Sequence, residues 1–171
     1  HIIPGDFYML IIHDFGLSIK EYVLKGKENN FPVIFQCPCC SAIGLLHRHG
    51  FYDRNGIVED GEEYVVVICR LICTSCRKTF SIIPDFLIPY YQNTLDSVIS
   101  GIDQSLAPKQ SKKRMSRQLL SFYKHRFLSS LAWIHSFFAD LGEVFGIAGE
   151  KKEQASQYLE KIRHFGEPPF L

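Results

Sequence analysis

Residues 64–76 read Tyr-Val-Val-Val-Ile-Cys-Arg-Leu-Ile-Cys-Thr-Ser-Cys, and their first nine residues form the clearest strand in the chain. Valine and isoleucine pack well on a pleated surface and lose little there, because their side chains are already stiff at χ1. The strand runs directly into Cys73-x-x-Cys76, and a matching pair, Cys37-x-x-Cys40, lies upstream across a gap of 32 residues. Thr79 to Ile83 is placed to return antiparallel to Tyr64–Ile72. Leu45 to Tyr52 reads as a further strand, with Asn55-Gly56 and Asp60-Gly61 as turn signals before Tyr64. Further upstream, Phe7 to Ile12 is a short apolar strand. Leu17, Tyr22 and Leu24 suggest a short helix ended by Gly26, and Val33 to Phe35 leads into Cys37.

Pro84 and Pro89 punctuate the chain, and after them the period changes from two to 3.6. Leu95, Val98, Ile99, Ile102 and Leu106 define one helix, with Asn93 or Thr94 as cap and Pro108 beyond its end. Ser116 is an N-cap, with Met115 and Leu120 placed as a hydrophobic staple. Leu120, Tyr123, Phe127, Leu131, Ile134, Phe138, Leu141 and Phe145 then mark a long amphipathic helix, or two with a bend. Residues 150–164 give another helix. The fold class expected is α+β: a small β-rich zinc ribbon over residues 1–88, then an α-helical domain over 89–171 with a helix-turn-helix-like element. The aromatic residues Phe122, Phe127, Trp133, Phe137 and Phe138 are expected in the core.

Hydrophobic residues make up 46% of the sequence and aromatic ones 13%, enough for a buried core in at least one half. The apolar start, His1 to Ile12, lacks the basic flank and small-residue cleavage site of a signal peptide. No run of eighteen apolar residues suggests a membrane span.

The paired cysteines decide the chemistry. A C-x-x-C turn aims two thiolates at one point, so Cys37, Cys40, Cys73 and Cys76 together suit one structural zinc ion. A closed set of four thiolates leaves no open position for catalysis. Disulfides, a redox C-x-x-C and an iron–sulfur cluster are the alternatives. A reducing cytoplasm favours the metal. Cys39, inside the first pair, could replace a neighbour as ligand, and Cys69 on the apolar strand reads as a small buried side chain. His47 and His49 read as structural or surface residues, with ligation as the alternative.

Charge is concentrated. Residues 1–108 carry 8 Lys/Arg against 12 Asp/Glu, residues 109–126 carry 7 and no acid, and residues 127–171 carry 4 against 6. Lys109, Lys112, Lys113, Arg114, Arg117, Lys124 and Arg126 form this segment. On a helix starting at Ser116, Arg117 and Lys124 share a face, with Gln118 and Ser121 nearby to meet phosphates or base edges. Double-stranded DNA is the partner this suggests. The competing reading is a solvated basic face. No Ser/His/Asp order, glycine-rich phosphate loop or H-E-x-x-H pattern points to an enzyme.

Several motifs occur together: Cys37-Pro38-x-Cys40, His49-Gly50-Phe51-Tyr52-x-Arg54, Arg70-x-x-Cys73-x-x-Cys76-x-x-Thr79-Phe80-Ser81, and Pro84 with Leu87-x-Pro89-Tyr90. Over about residues 9–91 the chain resembles the N-terminal zinc ribbon of bacterial insertion-sequence transposases. It is most similar to a family of short zinc-ribbon proteins of unknown function linked to mobile elements. Ser116-Arg117-Gln118-x-x-x-Phe122-Tyr123-x-x-Arg126-Phe127 is similar to a helix-turn-helix recognition segment. The resemblance implies a non-catalytic DNA-binding accessory or regulator of a mobile element, cytoplasmic and nucleoid-associated. A protein-interaction adaptor within a larger complex is the alternative. The transposases themselves carry a long domain with three catalytic acids. Here about 80 residues follow the ribbon, too few for that domain, so no catalysis is expected.

Overall fold

The computed structural model describes residues 2–3, 9–106, 115–142 and 151–165. The fold is α+β, a mixed sheet with four helices. The strands are β1 (Ile2–Ile3), β2 (Met9–His13), β3 (Leu46–Ile57), β4 (Glu63–Cys73) and β5 (Thr79–Pro84). The helices are α1 (Ile19–Lys25), α2 (Leu95–Leu106), α3 (Arg117–Asp140) and α4 (Lys151–Phe165). The chain divides into two compact units, one of residues 1–56 with 63–92, the other of residues 57–62 with 93–171.

In the first unit the strand order is β1-β2-β5-β4-β3. β5 pairs antiparallel with β4, Leu71 opposite Phe80, as the sequence suggests. β5 also pairs in parallel with β2, Ile11 opposite Ile82, a long-range pairing that no local pattern announces. As the central strand it has both faces covered, so Phe80 to Pro84 is buried without alternation.

β3 runs well past Tyr52, and Asn55-Gly56 is not a turn. Gly56 is a buried strand residue, because a Cβ there would lie 3.1 Å from Ile19, 3.2 Å from Leu87 and 3.3 Å from Val66. The glycine serves close packing rather than chain reversal. Reversal falls at Asp60-Gly61, where Gly61 has φ 86°.

α1 begins at a full capping box. Ser18 accepts from the Glu21 N–H, and the Glu21 carboxylate accepts from the Ser18 N–H at 2.9 Å. The helix buries Tyr22, whose hydroxyl donates to the Val67 carbonyl at 2.9 Å. Phe15, Phe31 and Phe86 meet the Tyr22 ring edge-on, with centroids 4.9, 6.4 and 5.5 Å away. Burial of that ring pushes its hydroxyl well above the ordinary tyrosine range. Val66, Ile68, Phe80, Ile82 and Leu87 complete the core.

In the second unit three helices pack on one another. The α3 stripe Tyr123, Phe127, Leu131, Ile134 and Phe138 is buried, as are Leu95, Val98, Ile99 and Ile102 of α2 and Ala155, Tyr158, Leu159 and Ile162 of α4, and the three helices pack together. Phe138 stacks on Tyr158, with centroids 5.8 Å apart. Thr94 caps α2, accepting from the Ser97 N–H at 3.4 Å, and Ser116 caps α3, accepting from the Leu119 N–H at 3.3 Å. Met115 and Leu120 converge where α3 approaches Gly101, as a staple would.

α3 is one continuous helix through Asp140. Leu141 is half exposed, and Phe145 lies outside the described residues. The aromatic residues divide: Phe127 and Phe138 are core, whereas Phe122 is 47% and Trp133 51% exposed. Their positions fall on the side of α3 opposite the buried stripe, so these two are not core as expected. α2 and α3 pack together, but residues 107–114, which would form the turn of a helix-turn-helix, lie outside the described residues.

Candidate metal centre

Two turns of near-identical geometry bring the cysteines together. In the first, the Cys37 N–H donates to the Ala42 carbonyl at 2.8 Å and the Ser41 N–H to the Cys37 carbonyl at 2.9 Å. In the second, the Cys73 N–H donates to the Lys78 carbonyl at 3.0 Å and the Arg77 N–H to the Cys73 carbonyl at 2.9 Å. The residue after the second cysteine is left-handed in both, Ser41 at φ 59° and Arg77 at φ 61°. That conformation closes each turn so that both thiols point inward. β4 supplies the second turn at its end. The Gln36–Ile43 bridge braces the first, and the Thr74 N–H, donating to the Leu45 carbonyl at 2.9 Å, ties the two together.

The four sulfur atoms lie within 4.8 Å of one another. Cys37 Sγ is 3.7 Å from Cys76 Sγ, and Cys40 Sγ is 3.8 Å from Cys73 Sγ. A tetrahedron with metal–sulfur bonds of about 2.3 Å has edges of roughly 3.8 Å. A disulfide needs about 2.05 Å, so neither contact is one, and all six cysteines are free thiols. The four residues can therefore hold a metal ion. Cys37 and Cys73 are buried, Cys76 is partly buried and Cys40 is exposed, so the centre opens to solvent on the Cys40 side.

The electrostatics point the same way. The backbone at Ala42 and the neighbouring thiols hold the Cys40 thiol down to about 6. At Cys76 the backbone at Lys78 pulls down, but burial and the sulfurs of Cys73, Cys37 and Cys40 outweigh it and push the thiol up to about 12. Burial also raises Cys37. One thiolate forms easily and opposes the next. A divalent cation at the centre removes that opposition by stabilising several thiolates at once.

Cys39 is exposed and Cys69 is buried, and neither joins the sulfur cluster. His47 and His49 are exposed on β3 and also stand outside it. Arg54 is a residue whose role sequence reasoning missed. It reaches from β3 to the carbonyls of Ile88 and Tyr91, and so fixes the loop in which Tyr90 sits at φ 68°. Its only trace in the sequence is that Arg54 and Pro89-Tyr90, 35 positions apart, both belong to the motifs that carry the resemblance.

Of the basic segment, Lys109, Lys112, Lys113 and Arg114 lie outside the described residues. Arg117, Gln118, Ser121 and Arg126 are exposed on α3. Lys124 is half-buried, and its ammonium donates to the Ser105 carbonyl of α2 at 3.3 Å. Lys124 does neighbour Arg117 around the helix, but on the flank that meets α2. Arg126, nine residues after Arg117 at about 100° per residue, points the opposite way. Gln118, Ser121 and His125 occupy the exposed face between them.

Residues 37–119 match the family model described as Domain of unknown function (DUF6431). No curated protein and no solved structure matches the chain. The matched stretch starts at the first metal-site cysteine and ends in the first turn of α3. Among the described residues no helix is long and apolar enough to cross a membrane.

Proposed function

We propose that this chain is a non-catalytic DNA-binding protein whose first unit is built around one structural zinc ion held by Cys37, Cys40, Cys73 and Cys76. The zinc assignment is supported by the ligand chemistry: four thiolates at tetrahedral spacing form a closed soft site with no position left for a substrate. The DNA assignment is carried by the start of α3, where capped Ser116 is followed by exposed Arg117, Gln118 and Ser121 directly after the acid-free basic run. A helix N-terminus with cations beside it suits a phosphate, and Gln118 and Ser121 can reach base edges. The matched family stretch spans both the cysteines and Lys109 to Gln118, which supports reading them as one inherited module. Resemblance to insertion-sequence zinc ribbons suggests an accessory or regulator of a mobile element, in the cytoplasm with the nucleoid.

Exposed Phe122 and Trp133 favour a second reading, an adaptor that docks a protein partner on α3. Duplex binding by the zinc-loaded chain at graded salt separates the two. Binding that weakens steeply with salt supports the first reading. Undetectable or salt-independent binding, with a protein complex disturbed by Trp133→Ala, supports the second.

A further inference from the structure

The four cysteines of the metal centre are not equally sheltered. Cys37 is 1% and Cys73 0% exposed, Cys76 is partly buried, and Cys40 is the one exposed member. Its chain neighbours Cys39 and Ser41 are exposed as well. The same Cys40 faces a buried partner, because its Sγ lies 3.8 Å from Cys73 Sγ. A disulfide joins two such sulfurs once they close to about 2.05 Å. The centre therefore offers solvent one thiol, and places a second thiol directly behind it.

A metal centre of this kind keeps its cysteines as thiolates, the form that reacts with peroxides, and access then selects which of them reacts. Cys40 is the one a dissolved oxidant meets. Its sulfur attacks one oxygen of hydrogen peroxide, the O–O bond breaks, and a sulfenic acid and one hydroxide result. The Cys73 thiolate then attacks the Cys40 sulfur, the S–O bond breaks, and a second hydroxide leaves. Two thiolates lose two electrons, one peroxide gains them, and the products are one disulfide and two hydroxides. Only Cys37 and Cys76 are then left as thiolates, too few for a closed four-ligand site.

We propose that Cys40 and Cys73 form a peroxide-sensitive switch, in which oxidation joins the two in a disulfide and releases the ion, and thiol reduction with zinc restores the centre. This rests on the zinc reading above and adds its regulation. The test treats the full zinc-loaded chain with hydrogen peroxide. A colorimetric chelator reads the zinc released, and mass spectrometry of alkylated peptides maps the first disulfide. Zinc release is expected to keep pace with a Cys40–Cys73 bond while Cys39 stays open to alkylation. Dithiothreitol with added zinc should then restore about one ion per chain. Cys40→His keeps a metal ligand but removes the exposed thiol, so its zinc release should be slower by about tenfold or more, whereas Cys39→Ser should release zinc at the wild-type rate. A first disulfide joining any other pair overturns the switch, as does zinc held against peroxide. So does an unslowed release from zinc-loaded Cys40→His. If that variant holds no zinc, the disulfide mapped in the wild type decides. Purified wild type without zinc brings down the zinc reading as well, whereas zinc that peroxide does not release leaves that reading standing.

Discussion

Ser41 and Arg77 occupy equivalent places in the two cysteine turns: each is left-handed, at φ 59° and 61°, and each donates its N–H to the first cysteine of its pair at 2.9 Å. The two turns are thus one structural device used twice. The device needs a positive φ from residues that resist it, at a cost of about 1–2 kcal/mol each.

The first prediction follows from that strain. Glycine adopts positive φ freely but makes the unfolded chain more disordered by about 0.4–1 kcal/mol. Ser41→Gly and Arg77→Gly should each stabilise the metal-loaded protein by roughly 0.5–1 kcal/mol on balance. Ser41→Val should destabilise it by a similar or larger amount. Thermal unfolding of the three variants checks this, and a loss of stability in both glycine variants would contradict the strain.

The metal gives the second prediction. Purified protein should contain about one zinc per chain. Cys73 is fully buried at the centre, so Cys73→Ser should release the ion and unfold the first unit. Cys39→Ser, His47→Ala and His49→Ala should keep full zinc content, because none of these groups joins the cluster. Metal analysis with circular dichroism reads all four variants. Zinc loss on changing either histidine would redraw the ligand set.

Much of this centre was legible beforehand, because C-x-x-C is a local pattern and local geometry follows from it. The strand 64–72 and the helix 95–106 were legible for the same reason, since their side-chain periods are written in adjacent residues. The pairing of β2 with β5 was not, because it joins residues some seventy positions apart and depends on the whole sheet closing. Gly56 misled because the same residue type serves a turn and a tight packing contact, and only the neighbours Ile19, Leu87 and Val66 distinguish them. Phe122 and Trp133 misled because large aromatic residues are usually core, yet their helical phase sets them opposite the Tyr123–Phe138 stripe.

Arg54 carries the third prediction. Its guanidinium is largely removed from water, which lowers its affinity for a proton, and it donates to two loop carbonyls at once. Lysine cannot reproduce that fork. Arg54→Lys and Arg54→Ala should both destabilise the first unit, by roughly 1.5–3 kcal/mol for the charged hydrogen bonds lost, and free the loop around Tyr90. Hydrogen exchange at residues 88–92 together with denaturant titration tests this. Unchanged protection there would show the clamp to be dispensable.

The buried tyrosines give the fourth, with a definite sign. Burial raises Tyr22 and Tyr158 above the ordinary value of 10.0, so the folded state disfavours their ionisation. A raised folded pKa leaves stability intact below the unfolded value and erodes it as pH climbs past about 10. Unfolding midpoints should therefore be insensitive to these groups up to about pH 9 and fall above pH 10. Tyr22→Phe should flatten the alkaline fall while costing about 1 kcal/mol at pH 7 through the lost bond to Val67. An equally steep alkaline loss in Tyr22→Phe and Tyr158→Phe would assign it to other groups.

The last prediction separates the members of the basic segment by where α3 places them. Each phosphate neutralised contributes about 0.9 to the slope of log affinity against log salt, so four contacts would give roughly −3.6. Lys112→Ala and Lys113→Ala should weaken all duplexes alike and make the slope shallower. Arg117 and Gln118 stand exposed in the first turn of α3, where a side chain entering a groove would meet bases. Their replacement by alanine should change which sequences are preferred. Lys124 should behave differently from all of these, because its ammonium already donates to the Ser105 carbonyl. Lys124→Ala should lower the stability of the helical unit by about 1 kcal/mol or somewhat more and leave the salt slope nearly unchanged. Anisotropy titrations on several duplexes, paired with thermal unfolding of each variant, resolve the three behaviours. A slope change for Lys124→Ala as large as that for Lys112→Ala would mean that its contact with α2 gives way when DNA binds.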